Sequence, residues 1–272
     1  MSSEILFVTS YTKELYAASG RRLLESFRVV KQPGAMLACT EGFKRPEKAF
    51  EGKPYIYHNL DDDPFLGRWL MENKDVIPDH LGGDTKMCDC PGANERHGRE
   101  HKTGCHWHWM NRNASRWFRK VASLRQGVRV ADALGTPWMV WLDADDHFIR
   151  PLPLDYLKEK LRDVALFHFR GHREATESGI LGIQLAQGGR EFVAALCERY
   201  TSKDYRKYER WDDGYQISRL VLEGKVKARD LVHPTKYKSG DLRTEDVIPT
   251  TDIKKFLVHD KGRHGQYLGL MK

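Results

Sequence analysis

The sequence predicts an α/β fold: a mostly parallel sheet flanked by helices, with one inserted loop rich in cysteine and histidine. Three observations lead there. Short apolar, β-rich runs alternate along the chain with segments of helical periodicity. A length of 272 residues suits a single domain spanning 1–272. The one long stretch without either period, at about 80–116, is expected to be an insertion.

The elements follow in order. Glu4 to Thr9 is a short apolar, β-rich run that stops at Ser10-Tyr11-Thr12; Leu15, Leu23, Leu24 and Phe27 then keep helical spacing. Ala35 to Cys39 and Pro54 to His58 are the second and third strand candidates. Phe118, Val121, Leu124, Val128 and Leu134 mark a helix, and Trp138 to Leu142 is a buried strand directly after it. Leu166 to Phe169 and Gly179 to Ile183 are two further strands, while Phe192 to Leu196 and Gln216 to Val221 belong to helices. Strands separated by helices favour a parallel sheet covered on both faces.

Composition narrows the class. No apolar stretch approaches the roughly 18 residues of a membrane span, and Met1 to Leu6 lacks a basic and then apolar leader. A soluble, cytoplasmic protein is expected. Five cysteines, an odd number, argue against a disulfide framework. Cys39 and Cys197 lie in apolar runs and are expected in the core. The net charge of +7 and pI near 9.1 are compatible with an anionic partner such as a nucleotide, a nucleic acid or a membrane surface.

The strand Trp138 to Leu142 ends on Asp143-Ala144-Asp145-Asp146, followed by Pro151-Leu152-Pro153. In open α/β sheets ligands bind beyond the carboxyl ends of the strands, so these carboxylates stand where a site is expected. Close carboxylates repel unless a positive charge lies between them, and Mg²⁺ or Mn²⁺ accepts oxygen ligands while leaving positions for phosphate oxygens. The alternative is a solvated acidic turn.

Val140-Trp141-Leu142-Asp143-Ala144-Asp145, with Phe148 and Pro151-Leu152 after it, resembles the Asp-x-Asp signature of GT-A glycosyltransferases, including glycogenin-like enzymes and the DNA glycosyltransferases of phage and the base J pathway. The resemblance implies a GT-A, Rossmann-like fold and transfer of a hexose from a UDP-sugar with Mn²⁺ or Mg²⁺. It further implies that Thr9, Ser10 and Tyr11 border the nucleotide and that Lys120 contacts the diphosphate. Glu177, in Glu177-Ser178-Gly179, would face the sugar. His259-Asp260-Lys261-Gly262-Arg263-His264 is similar to the terminal His-x-x-Gly segment, which makes His259 a metal ligand with Asp143 and Asp145, and Lys261, Gly262 and His264 donor-binding residues. The sequence departs from the pattern in the wider Lys120 to Asp143 spacing and in lacking Lys-Pro-Trp after the terminal segment.

An acceptor hydroxyl needs a base. Trp211-Asp212-Asp213-Gly214 opens a helix, and Asp213 or Asp212 is the candidate, with an N-cap as the other use of Asp212. The insertion holds three of the five cysteines and four of the twelve histidines within 21 residues. Cys88, Cys90, His97, His101 and Cys105 are candidate ligands of a structural Zn²⁺, against exposed thiols in a solvated loop.

Arg96, Arg99, Lys102, Arg112, Arg116, Arg119 and Lys120 interleave with Trp107, Trp109 and Trp117; a second basic run holds Lys225, Lys227, Arg229, Lys236, Lys238 and Arg243. Such mixtures bind phosphate backbone and stack bases. The first expectation is therefore a glycosyltransferase acting on a hydroxymethylated pyrimidine in DNA, on the resemblance a phage protein working in the host cytoplasm. A glycan, lipid-linked or small-molecule acceptor is the second, and a zinc-stabilised nucleic-acid-binding module without catalysis the third.

Overall fold

The computed structural model describes residues 4–43, 48–74, 113–170, 175–232 and 247–260. The strands are β1 (Ile5–Thr12), β2 (Ala35–Glu41), β3 (Tyr55–Asn59), β4 (Trp138–Leu142), β5 (Asp146–Phe148), β6 (Leu166–Arg170), β7 (Thr176–Gln184), β8 (Ala228–Asp230) and β9 (Leu257–His259). Seven form one sheet in the order β3-β2-β1-β4-β7-β6-β8, and β5 pairs with β9 in a separate ribbon. Within the sheet only β7 runs antiparallel to its neighbours. The mostly parallel α/β architecture expected from the sequence is present. The order turns at β1, where the chain first builds outward to β3 and then returns to place β4 on the other side, and the carboxyl ends of β1 and β4 open side by side.

The principal helices are α1 (Arg21–Val29), α2 (Pro64–Glu72), α3 (Ala114–Leu134), α4 (Leu154–Lys160), α5 (Gly189–Thr201) and α6 (Asp213–Leu222). Alternation along β1 assigns the two faces. Leu6 and Val8 are buried with Phe118, Val121 and Leu124 of α3 and Phe192 and Leu196 of α5. Ile5 and Phe7 are buried with Leu23, Leu24 and Phe27 of α1 and Leu157 of α4. Both faces are thus covered, which is why the central strands are apolar throughout. Cys39 lies in the first of these clusters and Cys197 packs against it.

Helix α3 does most to position the site. Asn113 caps it by accepting from the Arg116 N–H, and Gly135, at φ 67°, ends it. A Cβ at Gly127 would lie 2.9 Å from Val8 Cγ2 and 2.8 Å from Met139 Sδ, so the helix sits directly on β1 and β4 there. Its amino-terminal half, carrying Arg116, Arg119 and Lys120, is thereby laid across the carboxyl ends of those strands. The helix starts four residues ahead of Phe118, because Asn113 supplies a cap that the apolar spacing does not show. Residues 114–116 of the stretch expected as an insertion thus belong to α3, and its part from about 80 to 112 lies outside the described residues. Helices α2 and α4 and strands β5, β8 and β9 were not expected from periodicity. Among the described residues no helix is long and apolar enough to cross a membrane.

Candidate functional site

The turn after β4 is fixed by the main chain on both sides. Asp143 N–H donates to the Gly179 carbonyl at 2.8 Å, Asp146 N–H to the Asp143 carbonyl at 3.1 Å, and Asp260 N–H to the Asp145 carbonyl at 3.2 Å. The side chains of Asp143 and Asp145 consequently leave a rigid frame.

Lys120 fills the space behind Asp143. Its Nζ lies 2.9 Å from Asp143 Oδ1 and 2.7 Å from Asp213 Oδ2, and it donates to the Ser178 carbonyl at 2.9 Å and to Ser178 Oγ at 3.1 Å. The ammonium also stands 4.9 Å from the centre of the Trp141 ring, whose Nε1–H donates to Asp143 Oδ1 at 2.7 Å. Burial pulls this lysine down, but Asp143 and Asp213 outweigh it and raise its pKa above the ordinary value. The Asp143 carboxyl is raised by burial, against the pull of Lys120.

A second corner is built by the ribbon, where Asp146 pairs with His259. His259 Nδ1 is 2.9 Å from Asp146 Oδ1 and 3.9 Å from Asp145 Oδ1. The imidazole lies against Gly179, where a Cβ would come within 2.6 Å of Cε1. Asp146 Oδ2 is buried with no hydrogen-bond partner among the described residues. Burial pushes the Asp146 carboxyl up to about 8, against the pull of His259. Where Asp146 is ionised, Nδ1–H donates to it and Nε2 keeps the lone pair a metal would use. Asp260 next door is ion-paired with Arg22, and its Oδ2 is 3.4 Å from His147 Nδ1.

A carboxylate and an imidazole at one corner, with a second carboxylate on the same turn, have the donor chemistry of a divalent-cation site. Among the described residues, however, no three His, Cys, Asp or Glu side chains converge in metal-holding geometry. Asp145 and His259 share the corner, while Asp143 turns Oδ1 to Lys120 and Trp141.

Between β1, α3 and this turn lies a cavity of about 200 Å³, bordered by Ser10, Tyr11, Arg116, Lys120, Asp143 and Asp145 among others. Thr9 lies deeper, fully buried, and its Oγ1 has no hydrogen-bond partner among the described residues. Burial and the neighbouring Tyr57 and Tyr16 raise the Tyr11 hydroxyl above its ordinary value. Arg119 turns to Glu41, with Nε 2.8 and 2.6 Å from its two oxygens. The Arg116 guanidinium stands 4.6 Å from the centre of the Trp117 ring; burial lowers it, against Asp143, Asp213 and Asp145.

Asp212 is the N-cap of α6, accepting from Tyr215 N–H at 3.0 Å, and its Oδ2 is 2.8 Å from Arg210 Nε. Asp213, 1% exposed, instead faces Lys120. Glu177 pairs with Phe169 at the start of β7. The β6–β7 register shifts just beyond, between Phe167↔Gly182 and Phe169↔Glu177, and Ser178 and Gly179 fall in that irregular stretch. The irregularity is what aims Ser178 at Lys120 and lays Gly179 under His259. Lys261, Gly262 and His264, and the zinc candidates Cys88, Cys90, His97, His101 and Cys105, lie outside the described residues. The sequence places Asp146 with Asp143 and Asp145 at the expected site but assigns it no role of its own, and it assigns none to Ser178, although Glu177-Ser178-Gly179 is singled out. Nothing in the sequence pointed to the Trp141 indole as a partner of Asp143.

No family model and no curated protein matches the chain. Among solved structures it is similar to mouse xyloside xylosyltransferase 1 in its apo form, at TM-score 0.43 and 12% identity over 85% of each chain. It is also similar to a glycosyltransferase involved in the glycosylation of the major capsid of PBCV-1, at TM-score 0.47 and 11% identity over 98% of each chain.

Proposed function

We propose that the protein is a glycosyltransferase that moves a hexose from a UDP-sugar to an acceptor hydroxyl, with Mn²⁺ or Mg²⁺ bound. One observation carries this reading: the strand-end carboxylates Asp143 and Asp145 border the same cavity as Ser10 and Tyr11 of β1 and the cationic Arg116 and Lys120 of α3. A nucleoside diphosphate needs a strand-end cleft for its nucleoside and positive charge for its phosphates, and both are present.

Asp143, Asp145 and His259 would hold the cation, with Asp146 orienting His259. When bound, the cation supplies charge that neutralises the departing diphosphate. The chain's own part is electrostatic. Breaking the sugar–phosphate bond leaves negative charge on the diphosphate, which Arg116 and Lys120, bordering the same cavity, would offset. Lys261, Gly262 and His264 are proposed for the same group. Asp213 is the proposed base for the acceptor hydroxyl, and Glu177 the proposed carboxylate facing the sugar. Asp212, occupied as a cap and by Arg210, serves the helix.

The acceptor placed first is a hydroxymethylated pyrimidine in DNA, supported by the net charge of +7 and the two basic stretches. A glycan, lipid-linked sugar or small molecule is the second reading. It is favoured by the engagement of Arg119 and Lys120 with Glu41, Asp143 and Asp213, which turns that part of the first basic stretch inward.

The test is release of nucleoside diphosphate from a panel of nucleotide sugars with Mn²⁺, with and without hydroxymethylated duplex DNA, comparing wild type with Asp145→Ala. DNA-stimulated release lost in the variant, with a matching mass increase on the base, is the expected result. Metal-dependent release indifferent to DNA selects the second acceptor class. No release with any donor, together with salt-sensitive DNA binding unchanged in Asp145→Ala, overturns the enzyme in favour of a nucleic-acid-binding module.

A further inference from the structure

A second cavity, also about 200 Å³, lies at the far edge of the sheet between α6 and the β6–β8 pair. His168 and Asp230 are paired across β6 and β8, so their side chains leave the same face of the sheet. Arg170, Ser218, Val221 and Leu222 join them around the opening. None of these residues has a part in the donor site.

His168 is only 6% exposed, yet it borders the cavity. Its Nδ1 is 2.9 Å from Thr176 Oγ1, which in turn is 2.9 Å from Ser218 Oγ. This chain of hydrogen bonds fixes the ring plane and leaves Nε2, which has no partner among the described residues, as the remaining polar atom of a buried imidazole. Asp230 is similarly half-used. Its Oδ1 accepts from the Arg170 and Val232 N–H groups at 3.0 and 2.9 Å, whereas Oδ2 accepts nothing among the described residues.

We propose that this cavity is a second ligand site, which takes a neutral hydroxylated ring, that is, one sugar residue. The chemistry selects that class. Asp230 Oδ2 only accepts, so the ligand must donate; His168 Nε2 donates or accepts according to its tautomer, and a hydroxyl answers either. An anionic ligand would meet Asp230, and an ammonium group has no lone pair for His168 Nε2–H, whereas a neutral hydroxyl answers both. Val221 and Leu222, the latter 57% exposed, offer apolar surface for the C–H face of a ring. The volume is below the roughly 300–1,000 Å³ of sites for drug-sized ligands, which limits the occupant to about one ring. The site is also near the chemistry: Thr176 stands two residues from Ser178 and Ser218 five from Asp213, roughly 7 Å in each case.

The test needs no donor and no metal. The full chain, with its histidines isotopically labelled, is titrated with glucose, galactose, mannose, xylose and N-acetylglucosamine, and separately with 5-hydroxymethylcytidine; the His168 imidazole signal is assigned with His168→Gln. At least one sugar is expected to move that signal saturably. Asp230→Asn, which keeps the oxygen that accepts from Arg170 and Val232, is expected to weaken binding about tenfold or more. Leu222→Ser, at an exposed position, is expected to weaken it as well. Asp145→Ala is expected to bind the sugar as wild type does, so failure of the donor reading and failure of this one are separable. No movement with any sugar, movement with the nucleoside alone, or unchanged affinity in both Asp230→Asn and Leu222→Ser overturns the proposal.

Discussion

Asp146 and His259 stand 113 positions apart in the sequence and are joined by a 2.9 Å hydrogen bond inside a two-stranded ribbon. The bond engages Nδ1 of His259, so in the proposed cation site Asp146 would orient the imidazole rather than bind the ion. Asp146→Ala is expected to weaken Mn²⁺ binding by about 10- to 100-fold, and Asp146→Asn, which can still accept from Nδ1–H, by less. Calorimetric titration with Mn²⁺ reads both. Equal affinities in all three proteins would remove the orienting role.

Lys120 is the cation between two carboxylates, at 2.9 Å from Asp143 and 2.7 Å from Asp213. Removing one partner of a buried ion pair leaves an uncompensated charge, so Lys120→Met is expected to cost about 3–5 kcal/mol of stability. Adding Asp213→Asn should recover part of that loss, because the second buried charge goes with the first. Urea unfolding of the two single variants and the double variant measures the coupling, and additive costs would contradict it.

Two glycines predict changes of opposite sign. A Cβ at Gly182 would lie 2.0 Å from Phe167 Cε1, inside a fully buried ring, so Gly182→Ala is expected to destabilise by about 1–3 kcal/mol, with partial rescue by Phe167→Leu. Gly67, within α2, has nothing within 4 Å of the same position, and Gly67→Ala is expected to stabilise by about 0.4–1 kcal/mol. Thermal unfolding of both variants gives the signs directly.

Burial holds the His168 imidazole below its ordinary value, against Asp230 and with Arg170 adding to it. Below about pH 6.5 the unfolded chain takes up a proton that the native chain resists. The stability contributed is therefore present above that pH and lost as the pH falls toward the native value. His168→Gln is expected to flatten the decline of Tm as the pH falls below about 6.5. Parallel Tm profiles for the two proteins would contradict this account.

Much of the sheet was legible because its central strands are buried on both faces and so appear as unbroken apolar runs: Ile5 to Val8 and Trp138 to Leu142 are the clearest. Helix α3 was legible from its spacing, though its start depends on Asn113. The start of helix α2 is marked by Asp63 as its cap and Pro64 at its first position, while its nine residues are too short for the apolar spacing to stand out. Strands β5 and β9 have three residues each, too few to show a period, and exist only through their mutual pairing. In the site, Asp143 and Asp145 could be placed at a strand end from sequence alone. The pairing of Lys120 with Asp213 could not, since it depends on where α3 and α6 cross the sheet. The bond from Asp146 to His259 was hidden for the same reason, because register across so long a separation leaves no local trace.

The β5–β9 ribbon also sets an order of events during synthesis. A chain emerging from its amino end can complete all seven strands of the sheet once residue 230 is available, since β8 is the last of them in sequence. The corner that holds Asp145 and Asp146 still lacks its imidazole at that stage and is closed only when Leu257–His259 arrives to pair with β5. Sheet and ribbon thus form at different times, and a nascent chain carries a complete sheet before Asp146 meets His259.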